Sequence, residues 1–99
     1  MQEPLSLPAE LTIYSVGEWA PRLRAHLAQR ADQGNLECLR IEAAAVEEID
    51  AAGVQLLLAL ANTLSRDQCV LRLVGPSAPL ARACAGLGAS ALLAAGVAA

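Results

Sequence analysis

The sequence predicts an α/β domain in which a small, mixed and mostly parallel β-sheet is flanked by helices. The first observation behind this prediction is that three strand-like segments alternate with three helix-like segments along the chain. The second is length, since 99 residues suffice for one core and are too few for two. The third is an apolar content of 56% with one Trp, one Tyr and no Phe, which indicates an aliphatic core. We therefore expect residues 1–99 to form a single domain, with a flexible tail over 94–99 and a loose N-terminal arm over 1–8, within which a short edge strand around Leu5 to Leu7 is the alternative.

Three segments make up the first half of the alternating pattern. Residues 10–14 alternate polar and apolar side chains, which predicts a strand. A helix is expected to follow as far as about Asp32, with Ser15 as its N-cap and Glu18 at the spacing of a capping box. Residues 36–41 predict the second strand. The inward stripe of the helix is predicted to be Val16, Trp19, Ala20, Leu23 and Leu27.

The second half repeats the order of helix, strand and helix. Residues 42–50 are acidic and rich in alanine, and we expect them to form a connector. A second helix is predicted over 52–66 and a third strand over 69–74. Ser77 is the expected N-cap of a last helix, which Gly86 and Gly88 close.

Composition and charge exclude several classes of function. The net charge is −3, and the seven basic residues, all arginines, form no cluster. Nucleic-acid binding needs clustered basic groups and aromatic stacking platforms, and the sequence has neither. The first residues do not resemble a secretory signal, and no stretch approaches the roughly 20 apolar residues that span a bilayer. We predict a cytoplasmic protein with no nucleic-acid partner and no direct insertion into a membrane.

The residues that carry chemistry in enzymes are few and scattered. His26 is the only histidine and has no recognisable nucleophile motif, so a surface position on the first helix is favoured over a catalytic base. Cys38 and Cys69 lie in strand-like segments, where a buried thiol is the usual state, and Cys84 forms no C-x-x-C pair with them. No set of metal ligands or nucleotide-binding glycine motif is present. The sequence therefore predicts a binding protein without catalytic residues, metal or cofactor.

The second helix is apolar on two faces, and this is its informative feature. Its inward face is predicted to be Val54, Leu57, Leu58, Ala61 and Leu64. The opposite face begins with small and apolar residues and becomes polar towards Thr63 and Arg66. Another part of the domain could cover this face, or a second protein could dock on it, and we favour docking with Leu56 as the anchor. The predicted partner-binding residues are Glu47, Glu48, Asp50, Ala51, Ala52, Gln55, Leu56 and Ala59. For Asp50, capping of the helix is favoured over direct contact with the partner.

Residues 46–57, VEEIDAAGVQLL, resemble the signature of the STAS domain, which is named after sulfate transporters and anti-sigma factor antagonists. The likeness continues in residues 9–12, 71–77 and 87–93. It implies a small sheet flanked by helices, no cofactor, and partner binding through the helix that follows the signature.

In anti-sigma factor antagonists of this family, a Ser or Thr just before the signature glycine is phosphorylated by a partner kinase, and the complex is then released. The phosphoacceptor-equivalent position here is Ala52, which has no hydroxyl, and Thr12 stands where the family has an early aspartate. A phosphate would bring a charge of roughly −1.5 to −2 onto the docking face. Alanine cannot receive it, so the resemblance implies an antagonist-like protein without this switch.

The resemblance implies a non-enzymatic adaptor in bacterial signalling whose partner is a serine-kinase anti-sigma factor or a chemotaxis-type kinase. An alternative is the STAS subunit of an ABC-type phospholipid transporter, which stabilises the transporter ATPase. The sequence leaves the choice between these pathways, and the oligomeric state, open.

Overall fold

The computed structural model describes residues 5–31, 38–66 and 69–93. Its elements are, in order, β1 (Leu5–Ser6), β2 (Glu10–Leu11), α1 (Val16–Ala31), β3 (Cys38–Glu42), β4 (Glu48–Ile49), α2 (Ala51–Arg66), β5 (Val70–Val74) and α3 (Ala78–Gly86). The predicted class, an α/β domain with a small sheet flanked by helices, is confirmed.

The strands form two groups. In the larger sheet, β3 lies between β1 and β5, and both pairings are parallel. In the smaller sheet, β2 pairs with β4, also in parallel. Alternate side chains of β3 and β5 point to opposite faces, so that Leu39 and Leu71 are buried while Arg40 and Val70 are exposed.

The helix α2 is the central element of the packing, since it lies against β5, α1 and α3. The core that forms around it is aliphatic, as the composition predicts. Its largest fully buried side chains are Leu7, Leu11, Leu23, Leu39, Ile41, Val46, Val54, Leu57, Leu64, Leu73, Leu80 and Cys84. Each such aliphatic side chain contributes roughly 1.5–3 kcal/mol when it leaves water.

The first predicted strand is shorter than expected. Only Glu10–Leu11 pairs as β2, and the next four residues form a tight turn, the 12–15 turn. The amides of Ser15 and Val16 both donate to the carbonyl of Thr12 at 2.9 Å. This turn replaces the predicted capping box, because the Ser15 hydroxyl accepts from the Thr12 amide at 2.9 Å and the Glu18 amide donates to the Ser15 carbonyl at 3.1 Å. The helix predicted after it is confirmed as α1.

The later elements agree more closely with their predicted ranges. The helices α2 and α3 and the strand β5 all lie where the patterns place them, and the Ser77 hydroxyl accepts from the Leu80 amide at 3.3 Å as the predicted cap. The segment predicted as a connector instead contains β4. Leu5–Ser6 of the predicted N-terminal arm form β1, the alternative of a short edge strand, while residues 1–4, residues 36–37 of the predicted second strand and the predicted tail 94–99 lie outside the described residues.

The predicted inward face of α2 needs one correction. Leu58 and Ala61 are half-buried, whereas Leu60, which was not assigned to the inward face, is only 6% exposed. The reason is that α1 packs along α2 on one side, so the buried arc turns towards α1. Within the three described ranges, no helix combines the length and hydropathy needed to cross a bilayer.

Candidate functional site

The start of α2 and the 12–15 turn are neighbours because of the pairing between β2 and β4. The register aligns Glu10 with Glu48 and Leu11 with Ile49. Two parallel strands finish on the same side of the pair, so the segments that follow them emerge together. Here one strand leads into the 12–15 turn and the other into the first turn of α2.

Asp50 joins these two segments. One carboxylate oxygen, Oδ1, accepts a hydrogen bond from the Gly53 amide at 3.1 Å, which is the N-cap interaction favoured from the sequence. The other oxygen, Oδ2, accepts from the Ile13 amide at 3.0 Å, across the chain. The Ile13 amide is the main reason that the pKa of Asp50 is lowered, and the amides of Gly53 and Ala52 add to it, while partial desolvation opposes the shift. The carboxylate is therefore held in its charged form.

Gly53 lets the first turn of α2 approach β2 very closely. A Cβ atom at this position would overlap the carbonyl oxygen of Leu11 and would lie 2.9 Å from Cγ1 of Ile49. No side chain fits there without movement of backbone, so the signature glycine is a packing requirement. Its place in the sequence motif follows from this contact.

The 12–15 turn exposes two large apolar side chains beside Asp50. Ile13 is 62% exposed and Tyr14 is 91% exposed. The Thr12 hydroxyl donates to Oε2 of Glu10 at 2.6 Å and accepts from the Tyr14 amide at 3.2 Å, so the turn is braced from within. Sequence reasoning missed this pair because the alternating pattern placed Ile13 in a strand. The signal that was available is a Tyr in a chain with only two aromatic residues.

The eight residues predicted to bind a partner lie between Glu47, just before β4, and Ala59 on α2, and we call them the α2 surface. Five of them are exposed: Glu47, Glu48, Ala51, Gln55 and Ala59. Three are half-buried: Asp50, Ala52 and Leu56. Its side chains on the helix are small or apolar apart from Gln55, and its side chains next to β4 are acidic.

Leu56 is less open than the five exposed residues of this surface. It packs against the core and lines a groove of about 220 Å³ between α1 and α2. The groove is lined by Ala20, Leu23, Arg24, Leu27, Leu56, Ala59, Leu60 and Thr63. α1 therefore covers Leu56, the predicted anchor, in part, while Ala51 and Gln55 stay exposed.

The other residues considered for chemistry lie away from this site or are buried. His26 is half-buried on α1. Cys69 and Cys84 are buried, and burial raises the pKa of the Cys84 thiol. The side chain of Cys38 lies outside the described residues. Among the residues that the structure describes, no three His, Cys, Asp or Glu side chains are grouped to hold a metal ion.

Comparison with known proteins gives one match. The family model described as "Mlab, STAS domain" matches residues 5–94, nearly the whole chain. No curated protein and no solved structure gives a significant match. STAS domains generally mediate protein–protein interactions and are generally non-enzymatic. The matched range includes all the strands and helices described above, and the chain belongs to the STAS domain family.

Proposed function

We propose that this chain is a cytoplasmic, non-enzymatic adaptor of the anti-sigma factor antagonist type, which binds its partner through the α2 surface. The observation that carries the proposal is the exposed face of Ala51, Gln55 and Ala59, on a helix whose first turn is held from two sides. Asp50 caps it and Gly53 packs it against β2. A docking face held in one conformation loses little entropy on binding.

Binding is proposed to be constitutive with respect to phosphorylation at position 52. Ala52 has no hydroxyl, and the Ser and Thr hydroxyls of the neighbouring 12–15 turn are already engaged. That of Thr12 is buried and bonded to Glu10, and that of Ser15 donates to the Glu10 carbonyl at 3.0 Å. Thr63 is exposed on the same helical face, but it lies beyond the α2 surface near the other end of α2.

Two classes of partner fit an adaptor of this kind. The first is a serine-kinase anti-sigma factor or a chemotaxis-type kinase in a bacterial signalling pathway. The second is the ATPase of an ABC-type phospholipid transporter, with this chain as a stabilising STAS subunit. The alanine at position 52 favours this second class, because a permanent subunit needs no switch that releases it.

The proposal is tested by placing a charge on the α2 surface without disturbing the fold. Ala52→Glu adds a carboxylate in the first turn of α2, where the helix dipole tolerates negative charge, so folding should be retained. Its matched control is Thr63→Glu, which puts the same group on the same helical face at the other end. Binding to the three purified candidate partners from the source genome is measured by titration calorimetry.

We expect wild type and Thr63→Glu to bind one candidate with similar affinity, and Ala52→Glu to bind it at least about tenfold more weakly. The proposal would be wrong if wild type, Thr63→Glu and Ala52→Glu bound the candidate with equal affinity, or if wild type bound none of the three candidates. Leu56→Glu is less suitable as a test because Leu56 packs against the core, so a stability change would accompany any loss of binding.

A further inference from the structure

We propose that the 12–15 turn is the principal anchor of the docking site, and that it enters an apolar pocket with a basic rim on the partner protein. This inference rests on the proposed function and adds to it which residues contribute most to affinity and which partner chemistry they require. The residues are Ile13 and Tyr14, which lie beside the α2 surface rather than within it.

Exposure singles out this turn. Four large hydrophobic side chains are exposed among the described residues, namely Ile13, Tyr14, Val70 and Leu87, and only the first two are adjacent. Tyr is enriched at the centres of protein interfaces, since it offers a large contact area with few rotatable bonds and a hydroxyl that can stay hydrated or bonded. Ile13 and Tyr14, with Tyr14 91% exposed, therefore resemble the anchor residues of a protein interface whose partner is absent.

The hydrogen bonds of the turn fix the backbone that carries these side chains before binding. The amides of Ile13 and Tyr14 donate to Asp50 and to the Thr12 hydroxyl, and the Thr12 amide donates to the Ser15 hydroxyl. The backbone that carries the two exposed side chains is thus fixed on both flanks. Pre-organisation of this kind lowers the entropy lost on association.

Charge indicates what surrounds the pocket on the partner. Glu10, Glu47 and Glu48 are exposed around the same edge, and the pairing of β2 with β4 sets Glu10 directly opposite Glu48. Like charges in such positions are mutually unfavourable. Within the described part of the chain, the one salt bridge joins Arg22 to Glu18, so none of these three carboxylates has a basic partner there. A partner surface with Arg or Lys side chains would relieve the repulsion and steer association.

The test compares Tyr14→Ser and Ile13→Ser with Val70→Ser in titrations of the candidate partner proteins named above. Val70 is 48% exposed and follows α2, so it lies at the other end of that helix from the turn. We expect each turn variant to weaken binding at least about tenfold and the Val70 variant to stay within about twofold of wild type. The double variant Glu47→Lys and Glu48→Lys should slow association and reverse its dependence on salt between 50 mM and 300 mM NaCl, concentrations that bracket about 0.1 M, where the Debye length is about 10 Å.

The outcomes separate the two proposals. Loss of binding in Ala52→Glu with full binding in both turn variants would overturn the anchor and leave the adaptor function in place. No binding by wild type would overturn both. Weaker self-association of Tyr14→Ser in sedimentation, with unchanged affinity for the candidate partners, would assign the turn to a contact between copies of this chain and also overturn the inference. Melting temperatures within a few degrees of wild type confirm that the exposed substitutions leave the fold intact.

Discussion

The helices α2 and α3 both follow a parallel strand, and in each the side chain of the N-cap residue accepts a hydrogen bond from the amide three residues further on. At α3 the Ser77 hydroxyl accepts from the Leu80 amide, and only the backbone amide of this residue reaches a distant segment, where it donates to the Ala43 carbonyl at 3.1 Å. At α2 the Asp50 carboxylate accepts from the Gly53 amide and, with its second oxygen, from Ile13 in a distant segment. One cap starts a helix, whereas the other also fixes a surface turn that exposes large apolar side chains.

Glycine adds to the contrast. Gly53, in the first turn of α2, has the Leu11 backbone where a side chain would be, but Gly86, at the end of α3, has nothing within 4 Å of a Cβ atom. Close packing and a two-sided cap make the α2 start a rigid feature. The start of α2 is thus tied to β2 and to the 12–15 turn as well as to its own first turn.

The largest effect is expected from Gly53→Ala. The added methyl group meets the Leu11 carbonyl, so we expect a loss of about 1–3 kcal/mol in the free energy of unfolding. Gly86→Ala is the matched control and should be neutral or stabilising by about 0.5–1 kcal/mol, because alanine suits a helix better than glycine. Urea denaturation followed by circular dichroism measures both, and equal stabilities would contradict the close approach.

A smaller effect is expected when the caps are changed. Ser77→Ala should lower the free energy of unfolding by about 1 kcal/mol, since it removes the only polar cap of α3 among the described residues. Asp50→Ser retains one acceptor for the Gly53 amide and loses the one for Ile13. Amide hydrogen exchange should therefore quicken at Ile13 and stay slow at Gly53. Unchanged exchange at Ile13 would show that the second oxygen does not hold the turn.

The smallest effect is a dependence on pH that only the α2 start should show. The pKa of Asp50 is lowered from its usual 3.8, so the unfolded chain takes up this proton at a higher pH than the folded chain. The stabilisation is therefore fully present above about pH 3.8 and is lost as the pH falls through the lower folded value. Asp50→Asn should remove this part of the acid sensitivity in thermal melts, and Ser77→Ala should leave it unchanged. Parallel curves for wild type and Asp50→Asn would contradict it.

The elements that follow from local pattern were predictable. The apolar period of α2, the Ser77 cap and the aliphatic run of β5 each depend on residues close in sequence. The shared helical face of Ala52, Gln55 and Ala59 was also predictable, because helical spacing alone brings them together, whereas their role in binding stays a prediction.

The features that depend on distant contacts were missed. The strand β4 is two residues long and contains Glu48, so it has no pattern of its own and exists through pairing with β2. The 12–15 turn has the alternation of a strand and is decided by hydrogen bonds to Asp50 and within the turn. The reason for Gly53 is the backbone of Leu11, which no local pattern reveals.

The most direct test of the docking account is a chemical-shift map of the ¹⁵N-labelled protein titrated with the purified partner that it binds. The account predicts that the perturbed amides are concentrated at residues 12–15 and in the first two turns of α2, with the start of α3 unaffected. Shift changes centred on α3 or on the exposed face of β5, with no changes at the amides of the α2 surface, would contradict the account.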